Sequence, residues 1–430
     1  MTAADVVADG VRRAGTARVF AAAGADPTLI AALARAGVPL VTVPRASSAC
    51  AMAAVTAGLT DAPGVVVLAA DDDDARPALS AALRARAAVV VLAPVAPAEP
   101  APVKTTVLTG ADSAAHWIAH AAQAAMAPPS GVVWLVVTAD VASRASLPVA
   151  TAPRAGAFPI DPAAVDAVAA RLAAGLRPLI VAGRECRAPA AAPWLRALAE
   201  SLPAPVVVTP AARGALPDPH PLSFGVLRAG APILGRADVV LALGVHDDEL
   251  AAGVVAAPVL RLGRAPGIAA AADATGDVAA LVEELAPRLR ERARADWDVA
   301  ELDRLRRARP MPVVDPALAT LVTRVREATP AGTAAVFAPA LASASELWQA
   351  VTAGDVLIDA RPMAAAAAVA LERPEHAVLV FGADGDPAAV AEVTTAGVRV
   401  LTPSAGALGL MLGTTVERDE ARVVVVPLPG

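Results

Sequence analysis

The chain has little that is aromatic, thiol-bearing or lysine-like. Its 430 residues include two cysteines (Cys50 and Cys186), one lysine (Lys104), no asparagine and only 2% aromatics. Two cysteines cannot frame a disulfide scaffold, and their spacing offers no zinc site. With so few aromatics to stack bases and no clustered basic residues, nucleic acid is excluded as a partner. The net charge of −6 points to no partner. No apolar run reaches the length of a membrane span, because Pro, Arg and Asp interrupt each candidate. The opening MTAADVVADGVRRAG lacks the basic-then-apolar pattern of a signal peptide and reads as a helix. These absences predict a soluble, cytoplasmic protein with no membrane partner.

What is present is alanine and valine. The chain is 56% hydrophobic, ample for several cores and unlike a disordered composition, and its length suits two to four domains. Arginine replaces lysine almost throughout, which with the alanine excess reads as compositional bias rather than a binding surface. Helical and strand patterns alternate, which predicts α/β domains with parallel sheets. In residues 1–150, helices are expected at 3–14 and 27–36, with strands at 19–22, 40–43, 65–69, 89–92 and 132–137. Residues 147–162, LPVATAPRAGAFPIDP, are Pro- and Ala-rich and read as a linker. A second α/β unit follows over 158–290, with strands at 178–182, 205–209 and 238–243. The charged stretch 289–310 reads as an exposed helix and linker. A shorter third domain covers 311–430 and closes on a strand at 422–427.

The densest signal lies in the third domain, in LERPEHAVLVFGADGDPAAVAEVTTAGVRVLTP, residues 371–403. A buried strand at 377–381 stops at Gly382-Ala383-Asp384-Gly385-Asp386, and a helix follows with Pro387 in its first position and Asp386 as N-cap. Open α/β sheets bind ligands beyond the carboxyl ends of their strands. Asp384 could there hold a hard cation such as Mg2+, which in turn could hold a diphosphate. The plainer alternative is that Asp384 and Asp386 only shape the turn and cap the helix.

The segment from Arg361-Pro362-Met363-Ala364 through this turn resembles the diphosphate-binding domain of thiamine-diphosphate enzymes, in the branch of acetolactate synthase and benzoylformate decarboxylase. Residues 15–68 resemble that family's pyrimidine-binding domain. RPLIVAGRECR, RADVVLALGV and the segment containing PDPHPLSFGVL resemble its central domain. The resemblance implies three doubly wound, Rossmann-like parallel-sheet domains, the last one shortened. It implies thiamine diphosphate and Mg2+ as cofactors, Asp384 as metal ligand, and Asp384, Gly385, Asp386 and Thr402 at the diphosphate. It also implies a homodimer, or a heteromer with a related subunit, that acts on a small molecule such as pyruvate. The departures lie at the functional positions. Ala46 occupies the place of the glutamate that serves the cofactor's pyrimidine ring. Thr402 falls where the metal-binding asparagine belongs, and Ala383 replaces the first glycine of the turn. Catalysis is therefore expected to be lost or reduced; the alternative is an active 2-oxo acid decarboxylase or carboligase.

Other candidates read more plainly. The run Asp71-Asp72-Asp73-Asp74 could gather a cation, but it precedes a helix and reads first as a solvated N-terminal cap. If it faced a substrate pocket, its charges would repel a 2-oxo acid. His116 and His120, at i and i+4, lack a third ligand and read as structural. In the middle domain Arg184-Glu185 stands where small residues would let a backbone approach a phosphate. FAD or another nucleotide is therefore not favoured there, and Glu185 and Cys186 read as part of an ordinary strand–helix turn.

Overall fold

The computed structural model describes all residues except 71, 99, 149–158, 252, 265–271, 290–294, 384–385, 405–407, 409–420 and 429–430. The chain divides into two compact units. One comprises Met1–Ala155, Thr333–Ala342 and Leu357–Gly430; the other comprises Gly156–Gly332 and Ser343–Val356.

The first unit carries two sheets. One is built from β1 (Val19–Ala22), β2 (Leu40–Val43), β3 (Gly64–Val67), β4 (Val89–Ala93), β5 (Thr105–Leu108) and β6 (Val132–Val136). These are short valine-rich strands, and β1, β3, β4 and β6 are buried along their whole length, as expected for a parallel sheet covered on both faces. Their order is β2-β1-β3-β4-β6-β5, and every pairing is parallel. The order reverses direction between β1 and β3, and that reversal opens a crevice at the strands' carboxyl ends.

The middle unit has β7 (Pro178–Ala182), β8 (Val206–Val208), β9 (Ser223–Val226), β10 (Val239–Leu243), β11 (Val259–Gly263) and β12 (Ala274–Thr275). The order β12-β11-β10-β7-β8-β9 places its reversal between β7 and β10.

The second sheet of the first unit has β13 (Ala335–Phe337), β14 (Val356–Ile358), β15 (Val378–Phe381), β16 (Arg399–Leu401) and β17 (Arg422–Val426). With five strands among the described residues it is the smallest of the three, in line with the expected shortening. Its order, β14-β13-β15-β17-β16, repeats the reversal of the first sheet, here between β13 and β15. Phe337 and Phe381 are register partners there and stack with centroids 4.6 Å apart. The closing strand β17 is inserted between β15 and β16 rather than added at an edge.

One core joins the two sheets of this unit. Helix Ala46–Leu59 and helix Pro362–Glu372 pack directly against each other. Met363 to Ala370 are all buried, because alanine offers no polar face and the helix is apolar all round. Alanine's high helix propensity keeps such a segment helical without an amphipathic stripe.

Helix Val299–Arg307 buries none of its residues, as the charged stretch implied. Among the described residues no helix is long and apolar enough to cross a membrane.

Candidate functional site

At the β1/β3 reversal a pocket of about 350 Å3 opens in the first unit. Its wall is Ala22 at the end of β1 and Ala23 after it, Leu68, Ala69 and Ala70 after β3, and Ala46. Ala46 is the first residue of helix Ala46–Leu59 and is 5% exposed. Among the described residues, the only ionisable groups on this wall are Asp72 and Asp73, and both are engaged. Asp72 Oδ1 accepts the Asp74 N–H at 2.9 Å, and Asp73 pairs with Arg76 at 3.3 Å in open solvent. The position expected to carry a ring-binding glutamate therefore faces a space lined by methyl groups.

The aspartate run corrects the capping expectation in part. Asp72 and Asp73 are exposed, as a solvated turn requires, and Asp71 lies outside the described residues. Asp74 is the N-cap of helix Ala75–Arg84, yet its side chain makes no capping hydrogen bond. Its carboxylate instead accepts from the Ser47 N–H (3.1 Å) and Oγ (2.5 Å), and from the Arg361 guanidinium (3.0 Å). Ser47 and Arg361 approach from 27 and 287 residues away, and the Arg361 guanidinium offers the carboxylate an opposite charge that a capping N–H lacks. Burial alone would push the Asp74 carboxyl up. The Ser47 hydrogen bonds, with the Arg361 and Arg45 charges, hold it below the usual range. A group depressed in this way stabilises the fold above its unfolded value of about 3.9 and loses that contribution as pH falls through the folded one. Asp74→Asn is therefore expected to unfold with a weaker dependence on pH below about 4 than the parent. Thermal scans across that range check it.

A carboxylate does stand near Ala46, although it comes from the far end of the chain. Glu392, on helix Pro387–Thr395, is 7% exposed and accepts the Arg45 backbone N–H at 3.2 Å. Its other oxygen lies 4.0 Å from the Arg45 guanidinium. It is not among the pocket's lining residues. Sequence reasoning missed it because partners 347 residues apart leave no local signal. Glu99, the only glutamate in the first 150 residues, lies outside the described residues. Cys50, one helical turn beyond Ala46, is wholly buried; burial, then Asp74, pushes its thiol up and leaves it without thiolate character.

At the β13/β15 reversal the expected turn begins with Gly382, at φ +80. A Cβ there would lie 2.9 Å from Ala338 Cβ and from Leu341 Cδ1, so only glycine fits. Asp386 accepts the Ala388 N–H at 3.0 Å and caps the helix as read. Asp384 and Gly385, the predicted metal ligand and its neighbour, lie outside the described residues. Thr402 is exposed. Among the described residues no cluster of three or more His, Cys, Asp or Glu could hold a metal. His116 and His120 are exposed, with parallel rings 6.3 Å apart.

In the middle unit, the backbone donors that could receive a phosphate at the β7/β10 reversal already hold internal anions. Glu249 accepts the N–H groups of Arg184 (3.1 Å) and His246 (2.9 Å), and the Thr209 hydroxyl at 2.6 Å. Glu185 accepts the Arg264 N–H at 3.0 Å and lies 2.8 Å from His246 Nε2. A Cβ on Gly183 would fall 2.2 Å from the Gly244 carbonyl oxygen, so the two strand ends close on each other. Glu185 is thus more than part of an ordinary turn. Cys186 is buried and donates to the Leu243 carbonyl.

Residues 165–261 match the model of the thiamine pyrophosphate enzyme central domain. The acetolactate synthase large subunit IlvG of Mycobacterium tuberculosis is 35% identical over 145 residues, which are 32% of this chain and 26% of that one. The probable 2-ketoarginine decarboxylase AruI of Pseudomonas aeruginosa is 40% identical over 114 residues, 26% of this chain and 20% of that one. The match thus spans about a quarter of the length of these curated relatives. Among solved structures, a Mycobacterium smegmatis protein described as a thiamin diphosphate-dependent enzyme aligns over 100% of both chains, with a TM-score of 0.77 and 21% identity. Benzoylformate decarboxylase of Polynucleobacter necessarius aligns over 99% of this chain and 98% of its own, with a TM-score of 0.77 and 16% identity. At those identities the structures speak to fold alone. The chain thus carries a match to the central domain of thiamine pyrophosphate enzymes over residues 165–261, within a fold similar along its whole length to that of thiamine-diphosphate-dependent enzymes.

Proposed function

We propose that this chain keeps the family fold while its classical chemistry, decarboxylation or carboligation of 2-oxo acids, is lost or reduced. The observation that carries the reading is Ala46 in the β1/β3 pocket. A methyl group can neither accept nor donate the proton that a ring-bound glutamate would handle, and the carboxylates on that wall are engaged elsewhere. The residues present do not fit the ring half of thiamine diphosphate. Thr402 in the asparagine position weakens the metal half in the same direction. The fold then serves assembly or the binding of another small molecule, as a homodimer or beside a related subunit that supplies the missing side chains.

Calorimetric titration of the full-length chain with thiamine diphosphate and Mg2+ tests the binding side. The expected result is no saturable heat at micromolar cofactor. Micromolar, Mg2+-dependent binding abolished by Asp384→Ala would favour the second reading, an active 2-oxo acid enzyme. That reading draws support from the names of the relatives, an acetolactate synthase subunit and a probable 2-ketoarginine decarboxylase.

A further inference from the structure

Away from the strand-end crevices, the middle unit holds a cavity of about 230 Å3 beside β8 and β9. Phe224 and Ile233 supply an apolar wall, and the chain that follows helix Val299–Arg307 closes it from the other side. Its charges do not balance. Three guanidiniums, of Arg213, Arg228 and Arg309, line it against two carboxylates, of Asp218 and Glu346. Arg228 pairs with Glu346 at 2.5 Å, and Arg213 stands 3.6 Å from Asp218. Arg309 makes no ion pair among the described residues. It lies over Gly225, where a Cβ would come within 2.8 Å of its Nη1. Gly225 has φ +74, so a glycine at that point both permits the irregularity in the β8–β9 pairing and leaves room for the cation.

A second feature points the same way. Arg213 is 7% exposed, and its two Nη atoms donate to the Ser345 and Trp348 carbonyls at 2.7 Å each. Its Nε is buried with no hydrogen-bond partner. A buried donor left unmet is costly, and native structures satisfy nearly all of them.

We propose that this cavity binds a small organic anion, a carboxylate or a phosphate ester, with its charged head on Arg309 and its apolar body against Phe224 and Ile233. The volume decides against a nucleotide. It equals roughly eight water molecules at ~30 Å3 each, below the ~300–1,000 Å3 of drug-sized pockets. Charge and size together select a small anion about as large as benzoate.

The test is calorimetric titration of the full-length chain with benzoate, phenyl phosphate and the neutral isostere benzamide. At least one anion is expected to bind with a Kd below about 1 mM, and benzamide about tenfold or more weaker. Whichever of benzoate and phenyl phosphate binds more tightly identifies the head group. Arg309→Gln, at an exposed position, is expected to keep the parent's circular dichroism spectrum and to weaken the anion about tenfold or more. Met311→Trp, which fills the mouth, should do the same, whereas Arg12→Gln on the other unit should change nothing. Equal binding of benzamide, unchanged affinity in Arg309→Gln, or no binding of either anion at millimolar concentration would each overturn the proposal.

Discussion

At saturating thiamine diphosphate, Mg2+ and pyruvate, the chain is expected to turn over at or below about 0.1 s−1. A typical enzyme works near ~10 s−1, and a positioned proton-transfer group contributes ~10²–10⁴-fold. Ala46 offers no such group, and among the described residues of the pocket wall the two carboxylates, of Asp72 and Asp73, already have partners. The converse substitution sharpens the prediction. Ala46 opens helix Ala46–Leu59, where the positive end of the helix dipole favours a carboxylate, and the adjoining pocket of about 350 Å3 leaves room for one. Ala46→Glu is therefore expected to fold and to raise turnover by about 10²-fold or more, provided that the diphosphate half of the site is intact. A folded Ala46→Glu variant that stays at background would place a second defect at the other end of the cofactor, where Thr402 stands. Turnover near ~10 s−1 in the unmodified chain would mean that catalysis proceeds without the glutamate.

Replacing Arg213 with leucine is expected to cost about 3–5 kcal/mol, the range for stripping one partner from a buried ion pair. Arg213 supplies two hydrogen bonds to backbone carbonyls and the charge nearest Asp218. Leucine would take a charged donor from both carbonyls and leave Asp218 with the Ala350 N–H, at 2.8 Å, and the more distant Arg309 charge. The loss depends on pH in a definite direction. Burial already pushes the Asp218 carboxyl up, and the Arg213 charge opposes that; without the charge the carboxyl rises further. A carboxyl raised in the fold favours the native state below its unfolded value and loses that advantage as pH climbs through the folded one. Arg213→Leu should therefore be least destabilised in acid and most destabilised at neutral pH. Urea unfolding followed by tryptophan fluorescence at two pH values measures both effects, and Arg213→Lys should recover part of the loss.

Much of this was legible because it is local. Short apolar runs marked β1, β4, β7 and β15, and Asp386 before Pro387 marked a helix start that the structure caps as expected. Family resemblance located Ala46, and the sheet order then placed it at a reversal, where ligands bind. The edge strands β5 and β9 escaped notice, since TTVL and SFGV are too short and too mixed to stand out from the loops around them. What joins distant segments could not be read at all. Asp74 looked like a cap and is instead tied to Ser47 and Arg361. Glu392 reaches the Arg45 backbone across 347 residues. Glu185 looked like a turn residue, yet it and Glu249, which drew no notice in the sequence, take up the backbone donors of their crevice. Such pairings are set by the packing of sheets, and no spacing in the chain encodes them.

The central claim is that Ala46 leaves the cofactor's reactive carbon without proton-transfer assistance. The most direct test is hydrogen–deuterium exchange at that carbon of thiamine diphosphate, followed by proton NMR with the full-length chain and Mg2+ in excess. Exchange no faster than that of free cofactor is the predicted result. Exchange accelerated by about 10²-fold or more, and lost in Asp384→Ala, would contradict the claim.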